Sequence, residues 1–140
     1  MTENRVSPKV EALLVGVIEY PHLFYFMKHV LFKMKTNKEN DWKKWCEYLR
    51  AHEVESKDTM RLENCVYERS VMYERDGEYY VVGTSLLEGE PQKADLKIKI
   101  NEMHHKAKGE CLGGAIAVFS GDFKLPRECE ILYEFDLRLV

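Results

Sequence analysis

Few residues in this chain are of types and spacings that do chemistry. His104, His105 and Cys111 are metal-ligating types, but their spacing matches no closed Cys/His site, and a solvated turn accounts for the two histidines. Trp42 and Trp45 are types that stack nucleobases, yet their helical spacing points to packing on a core. Asp and Glu total 24 in 140 residues, so neighbouring carboxylates are expected by chance and do not mark an acid–base pair. No Ser-His-Asp order, phosphate-cradling Walker loop or glycine-rich dinucleotide fingerprint occurs. The chain therefore reads as non-catalytic, with no metal and no other cofactor.

Composition bounds what else it can be. A chain of 140 residues forms one domain, or two small lobes sharing a core. The formal net charge is −3 and the pI is near 6.0, which argues against a dedicated nucleic-acid binder. The apolar run from Val10 to Ile18 is too short to span a bilayer and lacks the arrangement of a secretory signal. The reading is a cytoplasmic protein with no membrane partner. Cys46, Cys65, Cys111 and Cys129 show no paired spacing, so reduced, mostly buried thiols are expected.

The elements organise around a hairpin. Asp76-Gly77 sits between two runs rich in Val and Tyr, from Cys65 and up to Gly83, and these residues tolerate the positive φ of a tight turn. Upstream, Val10 to Glu19 reads as a buried strand, Tyr20-Pro21-His22 as a corner, and Phe24 to Phe32 as a second, aromatic strand. Asp41 is placed to cap a helix whose Trp42, Trp45, Cys46 and Leu49 fall on one face. That helix should fray into a polar loop over His52 to Ser56, with strand resuming near Met60. Leu96, Ile98 and Ile100 alternate with Lys97 and Lys99, which predicts a third strand over Ala94 to Asn101. His104 to Gly109 reads as a turn, Cys111 to Phe119 as a strand or short helix, and Glu128 to Val140 as a last strand.

This order resembles the extended Tudor domain, in which a Tudor barrel is inserted into a staphylococcal-nuclease-like, OB-type lobe. Three stretches carry the likeness. Val15-Gly16-Val17-Ile18-Glu19-Tyr20-Pro21-His22-Leu23-Phe24-Tyr25-Phe26 is similar to that family's opening. Asp76-Gly77-Glu78-Tyr79-Tyr80-Val81-Val82 is similar to its Asp-Gly-x-Trp-Tyr-Arg-Ala hairpin, and Phe123-Lys124-Leu125-Pro126 through Leu132 to its return segment. The resemblance implies an α+β, mostly β fold, with a nuclease-like lobe over residues 8–56 and 123–140 and a Tudor-like barrel over about 57–122. It also implies that residues 10–32 pair with residues 128–140.

The family's methylarginine readers use an aromatic cage, because π-faces attract a guanidinium once water is excluded. Two cage positions map onto Tyr73 and Tyr80. The others map onto Ile100, Met103 and His105, none of them the expected type, so the cage is degenerate. An alternative register over Val118 to Phe123 restores aromatics but abandons the return segment. The resemblance thus implies a non-catalytic interaction module in a small-RNA or germ-granule pathway, located in perinuclear granules. A flexible, Arg/Gly-rich, unmethylated peptide would lie on Tyr73, Tyr80, Ile100 and Met103, with His105 also in contact and Glu74, Asp76 and Glu102 steering its basic residues. The competing reading is a small-molecule pocket protein or hydrolase, in which one continuous sheet curls over the Trp-bearing helix. A homodimer through Phe24 to Phe32 is compatible with either.

Overall fold

A computed structural model describes residues 25–139; the expected strand over Val10 to Glu19 and the Tyr20-Pro21-His22 corner lie outside them. The chain forms β1 (Tyr25–Met34), α1 (Glu39–Ala51), α2 (Glu53–Leu62), β2 (Cys65–Arg75), β3 (Glu78–Glu88), α3 (Lys99–Cys111), β4 (Leu112–Ser120) and β5 (Glu130–Asp136). The strands make one antiparallel sheet in the order β4-β1-β3-β2-β5. The first four, with their crossover helices, follow the β–α–β–β–α–β succession of a split βαβ unit. The fold is α+β and mostly β, as expected, but the sheet is open and not closed into a barrel.

The hairpin forms where its turn residues place it. Asp76 and Gly77 both take positive φ, 54° and 81°, which matches the twist of the flanking strands. Tyr73 pairs with Tyr80 across it. The Trp-bearing helix also forms, burying Trp42, Cys46 and Leu49.

Several expectations are corrected. The loop expected over His52 to Ser56 is a one-residue break at His52, after which α2 continues. Ser56 Oγ donates to the Leu49 carbonyl and stitches the two helices together at 3.1 Å. Met60 is therefore in α2, and strand begins at Cys65. The expected third strand is the start of α3 instead. Asp95 accepts from Lys97 N through its side chain and from Ile98 N through its carbonyl, and that carbonyl also accepts from Asn101 Nδ2. This local turn sets up a helix, which then buries Ile100 and Cys111.

Nor does β1 pair with the C-terminal strand. It pairs with β3 and β4, whereas β5 adds to the outer side of β2. Segments assigned to the lobe and to the barrel thus share one sheet. The aromatic stretch of β1 lies between β3 and β4, with Phe26, Leu31 and Phe32 half-buried.

Alternation gives the sheet two faces. Met34, Met72, Val81, Tyr133 and Phe135 face the helices and join Trp42, Cys46, Leu49, Met60 and Ile100 in the core. A bulge between Ser70 and Val71 leaves Leu132 beside Tyr133, and both are buried. The opposite face carries His29, Val71, Tyr73, Tyr80, Val82 and Thr84. Residues 121–129 must link β4 at one edge to β5 at the other, and they cross on that face. His29 Nε2 donates to the Gly121 carbonyl at 2.7 Å, and the Phe123 ring packs on both His29 and Phe119.

Candidate functional site: a cavity between sheet and helices

The helices do not fill the space above the sheet. A cavity of about 370 Å³ lies between β1, β2 and β3 below and the three helices above. Its floor is made of small side chains: Ser70 on β2, and Gly83 and Ser85 on β3. At Gly83 an added Cβ would meet nothing within 4 Å, so the missing side chain is replaced by open space. Phe32, Trp42, Met60 and Phe135 supply apolar walls.

Polar groups converge there. Glu68 rises from β2, and Tyr133 on the neighbouring β5 donates its hydroxyl to Glu68 Oε2 at 2.6 Å. Burial pushes the Glu68 carboxyl up from its ordinary range, against the pull of that hydrogen bond and of Lys108. Burial likewise carries Tyr133 well above a normal phenol. Glu63, which ends α2, also lines the space. Burial first, and the charge of Glu68 second, push it up to about 7. Both carboxyls are therefore reluctant to ionise.

The roof is set by aromatic stacking. Trp45 Nε1 donates to His104 Nδ1 at 2.7 Å. Because an indole N–H is a donor only, Nδ1 carries no proton, and the neutral ring holds its proton on Nε2. Burial keeps this imidazole down at about 3, so His104 stays uncharged at neutral pH. Trp42 packs on it, ring centroids 6.1 Å apart. Two buried polar atoms, Trp42 Nε1 and Ser70 Oγ, lie in the packed part of the wall and are not exposed to the cavity. The thiols of Cys46 and Cys65, each pushed up to about 12 by burial, stay protonated. All four cysteines are free.

The residues read from the sequence as a peptide cleft are not brought together. Tyr73 and Tyr80 stack on the face away from the helices, 5.4 Å between ring centroids, with the Arg75 guanidinium 5.6 Å from the Tyr73 ring. Ile100, Glu102, Met103 and His105 are all on α3, above the other face. Of these, Ile100 and His105 line the cavity, and Glu102 is exposed. The sheet itself separates the two groups, because α3 stands where a third barrel strand was expected. Sequence reasoning passed over Glu63, Glu68, Ser70, Gly83 and Tyr133. Two signals mark them: a glycine inside a strand-like run, and polar Glu68 and Ser70 on the same alternation as Met72.

The family model for a family of unknown function, DUF6176, matches residues 27–125. The chain belongs to the DUF6176 family. The matched span covers nearly all of β1 through β4, with Glu63, Glu68 and Gly83, and ends before β5 and Tyr133. No curated protein and no solved structure matches the chain. Among the described residues, no group of three or more His, Cys, Asp or Glu could hold a metal ion, and no helix is long and apolar enough to cross a membrane.

Proposed function

We propose that this DUF6176 protein binds a small molecule in the cavity between its sheet and helices. The observation that carries the reading is a roughly 370 Å³ space between sheet and helices, walled by Phe32, Trp42, Met60 and Phe135 and lined also by Glu63 and Glu68. Volumes of this size, apolar walls and a few convergent polar groups are the usual properties of a ligand site. Continuity of the sheet also separates this reading from a two-lobed peptide module, since the cavity needs β1, β2 and β3 side by side.

A fragment screen by ligand-observed NMR, run in parallel on the wild type and Gly83→Leu, tests it. The leucine side chain extends into the space above β3, where its Cβ meets nothing. Expected are wild-type binders whose signals vanish in Gly83→Leu while the thermal midpoint is kept or raised. Binders that persist in the filled variant, or none in the wild type, overturn the reading.

A further inference from the structure

The cavity holds two carboxyls that form no ion pair with a described residue, Glu63 lining it from α2 and Glu68 from β2. Lys28 on β1 and Lys108 on α3 are the basic side chains at its wall. The Lys108 ammonium stands 5.7 Å from the centroid of the Phe32 ring and acts on both carboxyls only at longer range. His104 is neutral, its Nδ1 occupied by Trp45, and His105, also at the wall, is exposed. From β5, Tyr133 contributes a hydroxyl and no charge.

A buried carboxyl without a cation either keeps its proton or acquires a partner.

We propose that the cavity is an amine site, taking a molecule with a protonated aliphatic amine at one end and an aromatic body. The amine pairs with Glu68, with Glu63 adding to its attraction. The body rests on Phe32, Trp42 and Met60. Aromatic faces next to the carboxyl add cation–π attraction. This rests on the small-molecule reading above and narrows it to one ligand class.

Tyramine, which carries both groups, and tyrosol, in which the amine is replaced by a hydroxyl, form the test pair. Calorimetry on the full chain at pH 7 is expected to show tyramine binding at least about ten-fold tighter than tyrosol. Glu68→Gln should remove that preference. Because Glu68 also accepts from the Tyr133 hydroxyl, Glu63→Gln serves as a second variant and should weaken tyramine about three-fold without changing tyrosol.

Equal binding of the two probes, or an unchanged preference in both variants, overturns the amine assignment. So does silence from tyramine. In either case the fragment screen on Gly83→Leu reports separately whether the cavity is a site at all.

Discussion

The two faces of the sheet are built from the same strands and are packed in opposite ways. On β3, Val82 and Thr84 point away from the helices and are 0% and 1% exposed. Gly83 and Ser85, between and beside them, point toward the helices and leave a hollow. On β2 the same contrast sets Val71 against Ser70 and Glu68. The face crossed by residues 121–129 is filled by β-branched and aromatic side chains at the density of a protein interior. The helical face loses volume at each small floor residue, and helices held apart by Trp42, Trp45 and His104 do not sink to recover it. The helical face carries the hydrophobic core and, beside it, a chamber.

Substitutions at adjacent positions of β3 and at the cavity wall break or sharpen this contrast, and chemical denaturation reads each one. The largest effect belongs to the packed face. Val82→Ala is expected to lose about 2 kcal/mol, because the surroundings cannot collapse into the void. A loss below about 0.5 kcal/mol would mean that this face is no better filled than the other. Next comes Tyr133→Phe, which removes the hydroxyl that Glu68 accepts and should cost about 1 to 2 kcal/mol. If it is neutral instead, Glu68 is satisfied from the cavity side.

Glu63 gives a pH signature. Its carboxyl is raised from 4.5 to about 7, so the folded chain holds this proton more tightly than the unfolded one. Its contribution is full below pH 4.5 and is lost as pH rises to about 7. After allowance for the part of the side chain that faces solvent, Glu63→Gln should gain about 1 kcal/mol at pH 8 relative to pH 4.5. A flat difference across that window would place Glu63 in solvent. Smallest is Gly83→Ala, expected to stabilise by about 0.5 kcal/mol, since a methyl group there meets nothing and the strand loses a flexible residue. Opposite signs at Val82 and Gly83 are the sharpest form of the comparison.

Two histidines repeat the contrast. His29, on the packed face, has both ring nitrogens engaged, by Thr84 Oγ1 at 2.8 Å and the Gly121 carbonyl at 2.7 Å. His104, at the roof of the hollow, is engaged through Nδ1 by Trp45. Burial lowers the pKa of both. His29 serves to hold residues 121–129 over the sheet, and His104 to hold α1 and α3 apart.

The sequence by itself determined the local elements whose signals are short-range. Asp76-Gly77 closes its hairpin because both residues accept positive φ, and Trp42, Cys46 and Leu49 define a helix because one face must be buried. The aromatic run of β1 and the final strand were legible for the same reason. Where a local pattern had two solutions, it misled. Leu96, Ile98 and Ile100 alternate like a strand, but Asp95 captures three backbone and side-chain donors and starts a helix, and the stripe Ile100, His104, Ala107 and Cys111 then continues it.

Only the tertiary structure decided which strands become neighbours. β1 pairs with β3 across a long sequence separation, and β5 docks on the outside of β2. That order sets Tyr73 and Tyr80 on one side of the sheet and Ile100, Met103 and His105 on the other. It also gathers Glu63, Glu68, Ser70, Gly83 and Tyr133 around one space. Each of the five is unremarkable where it stands in the chain. A cavity is the absence of side chains from several elements at once, and no single stretch of sequence encodes it.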